Sequence, residues 1–352
     1  MILYDFSSCI HRSVYTAIKH KNPHKKDGKC ITDEYIDLVI YRIVSEFVDF
    51  AQKYKSVYGD FIICLDDHSK PYWRKAIYPE YKATRKKERE ESDVNYDEVF
   101  KHIDYLIRVL KNFTNFKVIG VPGTEADDII GLLTRKFARF EKVLILSPDK
   151  DFKQLHKLGD IRQYSSITNK WVVPDDLDGW MIEHVVLGDS TDNVPRIVDF
   201  TDFTEDFKTH LKNLGHTITE NEFYDYDYQT QLALVDGYEG EVFVRPRFGV
   251  TGIKKAIKEF GSLDAWLDSN PILRKAYERN RKLVLDSELP AKVEAEILAE
   301  YTIPKKQIDI PALSKYFGFY HLETCTDMFK DLVYSTTQTT KFNAYNVNFN
   351  NI

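Results

Sequence analysis

Five short stretches place carboxylates at or just after an apolar run. They are Ile2-Leu3-Tyr4-Asp5, Ile62-Ile63-Cys64-Leu65-Asp66-Asp67, Glu125-Ala126-Asp127-Asp128, Leu144-Ile145-Leu146-Ser147-Pro148-Asp149-Lys150-Asp151 and Gly188-Asp189-Ser190-Thr191-Asp192-Asn193. A buried-strand pattern that ends in an acid sets that acid at the carboxyl edge of a parallel sheet, where open α/β sheets build their sites. Anions so close together would take protons back unless divalent cations compensate them. The chemistry implied is a magnesium- or manganese-binding site that acts on phosphate. Magnesium takes only one or two carboxylates directly and keeps several waters, so eight or nine acids suit two ions. Two such ions activate a water and stabilise both the attacking and the leaving oxygen of a phosphodiester.

Taken singly, the groups are less decisive. Asp5 also suits the N-cap of a following helix, and Asp66 or Asp67 could cap the segment after its strand. Thr124 with Asp127 matches a capping box, yet a box needs one acid and this turn carries Glu125, Asp127 and Asp128. Glu125 and Asp128 share a helix face, and their repulsion calls for a cation. Asp149 and Asp151 lie two positions apart after a buried strand, in a turn that Pro148 favours. Asp189 and Asp192 bracket Ser190-Thr191 in a loop or helix start.

The bases cluster elsewhere. Lys70 to Arg89 holds eight basic residues against two acidic, interleaved with Tyr72, Trp73, Tyr78 and Tyr81. Basic side chains contact phosphates and aromatics stack on unpaired bases, although a surface helix with aromatics folded onto the core would look similar. A second zone, Arg245 to Lys258, carries five bases and no acid. Within it Gly249 and Gly252 permit close backbone approach, and the helix carrying Lys254 and Lys255 can offer amides to a phosphate. An ordinary turn opening a basic helix reads equally well.

Elements that must position these groups alternate through the first half. Strands are expected at Met1–Asp5, Phe61–Asp66, Phe116–Val121 and Val143–Leu146, with shorter ones near Ile161–Tyr164 and Trp171–Val173. Helices are expected at Asp33–Tyr54, Tyr96–Asn112 and Glu125–Phe140, the last opened by Thr124, and helical spacing returns from Lys254 to about Leu289. This is the pattern of βαβ units, an α/β fold with a mostly parallel central sheet flanked by helices. From Asp199 to Glu241 eleven acids face two lysines, so a boundary is placed near Pro195. At 352 residues, with 43% hydrophobic and 14% aromatic residues, the chain suffices for two globular domains. The net charge of −6 does not exclude an anionic partner, since acids and bases are segregated. Cys9, Cys30, Cys64 and Cys325 form no CxxC pair, so neither zinc nor a disulfide framework is indicated. With no leader pattern and no run of ~18 apolar residues, a cytoplasmic chain without a membrane span is expected.

The order of these motifs resembles the structure-specific 5′-nuclease family (flap endonucleases and 5′–3′ exonucleases), in its phage branch, from Met1 to about Pro290. The matching pieces are Tyr4-Asp5-Phe6-Ser7, Leu65-Asp66, Tyr72-Trp73-Arg74 with Tyr81-Lys82 and Arg85, Glu125-Ala126-Asp127-Asp128, Ser147-Pro148-Asp149-Lys150-Asp151-Phe152 and Gly188-Asp189 with Asp192-Asn193. The resemblance implies a PIN-like nuclease domain over residues 1–195 with an arch at 70–92. It implies a helical duplex-binding domain over 196–310, interrupted by the acidic insertion 199–241, and an extension over 311–352. Asp5, Asp66, Glu125, Asp127, Asp149 and Asp151 would hold the first ion, Asp189 and Asp192 would complete the second, and Asp128 would support them. Asp66 and Asp149 with Lys82 and Arg85 are the expected catalytic centre, the two bases steering the scissile phosphate. Lys70, Tyr72, Arg74, Tyr81 and Lys86 would contact nucleic acid, as would Gly249, Gly252, Lys254 and Lys255 in a helical hairpin that in the family often holds potassium. About fifty residues separate Asn193 from Arg245, more than the family spacing. The expected function is metal-dependent hydrolysis of DNA with a 5′ flap or nick, and of RNA in RNA–DNA hybrids, by a monomer during replication or repair; a catalytically silent nucleic-acid-binding protein is the alternative. The tail reads most simply as a frayed end; the alternative that the resemblance implies is a terminal peptide docking on a sliding clamp or single-strand-binding protein, for which Phe342, Tyr345 and Phe349 could supply apolar anchors.

Overall fold

The computed structural model describes residues 1–173, 177–197, 205–219, 222–223, 226, 228–239, 249–269, 271–285 and 289–333. Its centre is a six-stranded sheet. The strands are β1 (Ile2–Asp5), β4 (Phe61–Cys64), β5 (Lys117–Ile119), β6 (Val143–Leu146), β7 (Ile161–Ser165) and β8 (Lys170–Val172). They lie in the order β5-β4-β1-β6-β7-β8, all parallel except the edge strand β8. Two short strands, β2 (Lys25–Lys26) and β3 (Lys29–Cys30), form a separate antiparallel hairpin.

The central strands β1, β4 and β6 read as nearly unbroken apolar runs because both faces are covered. Alternate residues supply two cores. Ile2, Tyr4, Ile63, Leu144 and Leu146 face one core, where α1 (Phe6–Lys21), α2 (Ile36–Tyr58), α4 (Tyr96–Phe113) and α13 (Ile310–Phe319) pack. Leu3, Ile62, Cys64, Val143 and Ile145 face the other, against α5 (Ala126–Phe137), the 3₁₀ helix Asp151–Leu158 and α12 (Ala291–Thr302). The C-terminal segment belongs to this body: Leu313, Tyr316, Phe317 and Phe329 fill the first core, and Ile297 the second.

Contacts divide the chain into two compact units, each assembled from separate segments. The first comprises Met1–Trp73, Lys86–Pro174 and the chain from Leu289 onward; the second comprises Arg74–Arg85 and Asp175–Glu288. The helix α3 (Thr84–Glu91) straddles one of these junctions. The second unit holds α6 (Leu177–Leu187), α7 (Glu205–Asn213), α8 (Tyr228–Val235), α9 (Val250–Phe260), α10 (Leu263–Asp268) and α11 (Pro271–Val284). Val186, Ile197, Ile253, Ala256, Trp266 and Leu267 form one of its cores, and Phe207, Leu211, Phe223 and Leu234 another.

The helical spacing expected from Lys254 to about Leu289 is found, as three helices: Gly261 ends α9 at φ 84°, Ser262 caps α10 through the amide of Ala265, and Pro271 opens α11. One local reading of the sequence is corrected. Thr124 does not cap α5: its hydroxyl donates to the Val121 carbonyl at 2.8 Å, and Glu125 takes the N-cap, in a box with Asp128. Among the described residues no helix is long and apolar enough to cross a membrane.

Candidate active site

In the first unit the chain crosses from β5, on one side of β1, to β6 on the other, so the strand order reverses between β1 and β6. The crevice at the carboxyl ends of those two strands is where such sheets bind ligands. Asp5 is the last residue of β1 and Asp149 follows β6 by three residues. They are joined through Ser147, whose hydroxyl donates to Asp5 Oδ2 at 2.7 Å and accepts from the Asp149 amide at 3.1 Å. Asp5 also caps α1, with Oδ1 accepting from the Ser8 amide at 3.1 Å. The capping reading and the site reading therefore describe one carboxylate.

The other first-unit acids gather at the same edge. Asp66 follows β4 and Oδ1 accepts from the Ala126 amide at 2.8 Å, which ties the β4 end to the start of α5. Helix α5 brings Glu125, Asp127 and Asp128 there, and its N-terminal dipole favours their charge. Asp128 is fully buried, and its Oδ2 accepts from the Glu125 amide at 3.0 Å and from Trp73 Nε1 at 3.1 Å. That places Asp128 as a support for the turn. The turn itself needs Gly123: at φ 81° a Cβ there would lie 2.8 Å from the Pro71 carbonyl oxygen. Asp151 closes the set, donating its amide to Asp149 Oδ1 at 2.9 Å.

Beneath these acids Cys64 is a sensor of their field. Burial pushes its thiol well above the ordinary range, and Asp5 and then Asp127 add to the rise. Both carboxylates are thus close to the end of β4, and a thiolate is not available there. The donor set is all hard oxygen, which fits magnesium or manganese and not a soft metal.

Gln163 was not singled out by sequence. It is fully buried on β7, and its amide donates to the carbonyls of Ser147 at 3.0 Å and Asp149 at 2.5 Å. Its own oxygen meets His156 Nε2 at 3.3 Å. A fully buried glutamine in a strand next to an acid-bearing turn is a signal only once pairing is known, since β7 is β6's neighbour.

In the second unit Gly188 and Asn193, both in the left-handed region, close a tight loop bridged between Asp189 and Val194. A Cβ at Gly188 would lie 2.5 Å from the Pro195 carbonyl oxygen. Asp189 Oδ1 accepts from Thr191 N at 2.7 Å and Thr191 Oγ1 at 2.6 Å. Asp192 gathers the arch residues. Tyr81 Oη donates to its Oδ2 at 3.0 Å, Lys82 Nζ sits 3.2 Å from the same oxygen, and Arg85 donates to Oδ1 at 2.5 Å. Two further bonds reinforce the contact: the Lys82 amide donates to the Asp192 carbonyl at 2.8 Å, and the Asn193 side-chain Nδ2 to the Glu80 carbonyl at 2.8 Å. Lys82 itself is held at φ 54°, which a lysine adopts only when its surroundings impose it.

The expected nucleic-acid residues divide by exposure. Arg74 and Tyr81 are both 3% exposed. Arg74 donates Nε to the Leu283 carbonyl at 3.0 Å and lies over the Tyr81 ring, so both are interior residues of this unit. Lys82 is also buried, whereas Lys70 and Lys86 are exposed and Tyr72 is half-buried, bonded to His68. Gly249 caps α9 and Gly252 lies in its first turn; Ile253 and Ala256 face the core while Lys254 and Lys255 face solvent, Lys254 3.5 Å from Glu183 of α6. Arg245, the residues 240–248 and the tail with Phe342, Tyr345 and Phe349 lie outside the described residues.

A mostly parallel sheet whose switch-point edge collects carboxylates defines an α/β protein with an acidic, hard-ligand site. The chain belongs to the family described as "5'-3' exonuclease, N-terminal resolvase-like domain", whose model matches residues 1–177. It is 32% identical to ribonuclease H of Enterobacteria phage T4 over 174 residues, 48% of this chain and 56% of that protein. It is 27% identical to a 5′–3′ exonuclease of Mycoplasmopsis pulmonis over 207 residues, 56% of this chain and 61% of that protein. The chain thus spans little more than half the length of the relatives it matches. In fold it is similar to the flap endonuclease of bacteriophage T5 crystallised with metal ions, with TM-score 0.51 and 16% identity over 91% of this chain and 97% of that one. A complex of the same phage protein with DNA and metal ions gives 0.50 and 16%, over 93% and 98%.

Proposed function

We propose that the chain is a divalent-metal-dependent 5′-nuclease that hydrolyses phosphodiesters of DNA at 5′ flaps and nicks, and of RNA in RNA–DNA hybrids, in primer or flap removal. The observation that carries this reading is the meeting of Asp5, Ser147 and Asp149 at the switch point, with Asp66 after β4 and Glu125 and Asp127 at the start of α5. Magnesium, with manganese as substitute, would supply an activated water and a counter-charge for the phosphodiester oxygens. Asp5, Asp66, Glu125, Asp127, Asp149 and Asp151 would hold it, directly or through water. Ser147 and the Ser8, Ala126 and Asp151 amides orient those oxygens without neutralising them. Asp189 and Asp192 are assigned to the second ion from the motif resemblance alone, and potassium at the α9 start rests on the same ground. Lys82 and Arg85 are the bases that would meet the scissile phosphate.

The activities of these relatives support a nuclease over a silent binder, since binding alone does not need so many mutually repelling acids. The test is digestion of 5′-labelled flap, nicked and hybrid duplexes. Short 5′ products are expected in magnesium and none in chelator. Cleavage that survives chelation, or no cleavage of any of the three in magnesium, overturns the reading.

A further inference from the structure

Between α1 and α2 the segment Lys19 to Lys29 carries five lysines and two histidines against Asp27 alone. Runs of like charge normally repel and stay unstructured. This one is built into β2–β3, with Asp27 at φ 52° and Gly28 at φ 80° making its two-residue turn. It is also fastened to the chain just after α3. Cys30 N donates to the Asp93 carbonyl at 2.7 Å, Lys29 Nζ to the Glu90 carbonyl at 2.7 Å and to that of Ser92, and Lys25 pairs with Asp93. Lys21 pairs with Asp37 and His24 with Glu34. Those four side chains hold the hairpin down, while Lys19, His20 and Lys26 face solvent, as do Lys86, Lys87 and Arg89 of α3. The dipole at the end of α1 accounts for Lys19 and His20 in part; it does not account for Lys26.

The helices fix where this charge stands. Lys21–Asp37 and Arg12–Glu46 are rungs between antiparallel α1 and α2. From Asp5, α1 rises about 24 Å to the hairpin. By α2 the height agrees: 23 residues rise about 34 Å against about 13 Å for β4, leaving the hairpin about 20 Å past the carboxyl edge. At 3.4 Å per nucleotide step that is about six phosphates from the acids.

We infer that the Lys19–Lys29 hairpin is a second phosphate-backbone contact, gripping a nucleic-acid substrate about six nucleotides from the acidic site. It rests on the nuclease reading above. The test uses the full-length Lys19→Glu/Lys26→Glu double variant on duplexes of about four to about twenty base pairs carrying a 5′ flap. On the longest, affinity is expected to fall about tenfold, and the slope of log K against log salt to become shallower by about two, the value for two lost contacts. The loss is expected to vanish on duplexes shorter than about six base pairs, and thermal unfolding to fall by no more than the few degrees that Lys19 owes to the α1 dipole. Unaltered affinity and slope on the longest duplex, with wild type binding and cleaving normally, overturn the hairpin alone. An equal loss at every length overturns its placement. If wild type neither binds nor cleaves, the nuclease reading fails first.

Discussion

The acids of the first unit and Asp192 of the second are held in opposite ways. Asp5 and Asp66 accept from a serine hydroxyl and backbone amides, neutral donors that set the direction of those oxygens. Asp192 accepts from a phenol and two cations, which set direction and cancel the charge. A carboxylate oxygen aimed by neutral donors suits a divalent ion. One paired with Lys82 and Arg85 acts as a clasp that positions those two side chains.

The largest expected effect falls on the first kind. Asp149→Asn should lower cleavage by at least about 10³-fold, ~4 kcal/mol in the barrier, while thermal unfolding stays level or rises as one repelling charge goes. Single-turnover rates beside a melting curve decide it; near-normal turnover in magnesium would erase the contrast.

Next comes the clasp. Asp192→Ala leaves the buried Lys82 ammonium without this counter-charge and should destabilise by ~3 kcal/mol, read from denaturant unfolding. The backbone sharpens the test. Lys82→Gly and Lys82→Ala remove the same amine, yet at φ 54° glycine should be ~1 kcal/mol the more stable of the two. An equal loss for both would show that the left-handed conformation is not imposed by the clasp.

A smaller effect belongs to the support under the acids. Gln163→Leu keeps volume but drops both donors to the Ser147 and Asp149 carbonyls, so the turn should loosen, with cleavage falling about tenfold and stability by ~1–2 kcal/mol. The smallest concerns its neighbour. Burial holds the His156 pKa below 6.5, so the folded state binds its proton less readily than the unfolded chain. Its contribution is complete above pH 6.5 and is lost as pH falls below it. In His156→Gln the stability curve should flatten over that acid window.

Much of the first unit was legible because the central parallel strands, buried on both faces, write themselves as apolar runs, and the acids that end or follow β1, β4 and β6 mark the carboxyl edge. Val143–Leu146 was read to the residue, and the fold class stands with it. The interior of the basic segment was not legible. Arg74 and Tyr81 look like surface recognition residues, and only tertiary packing against Leu283 and Asp192 reveals them inside. Local rules also could not choose between Thr124 and Glu125 as the cap, since both precede an acid three residues on. Gln163 was invisible because its partners belong to another strand.

The residues that complete the sheet's two cores arrive late in the chain. Strand β8 ends at Val172, but Ile297, Leu313, Tyr316, Phe317 and Phe329 are still to be made. At about 5–20 residues per second, a ribosome needs roughly 8–30 s to add the roughly 160 residues from there to Val333. For that interval the nascent sheet waits with both faces incompletely covered. A premature stop codon between Asn193 and Leu289 should therefore yield a fragment that chaperones and proteases recognise, even though it carries every acid of the site.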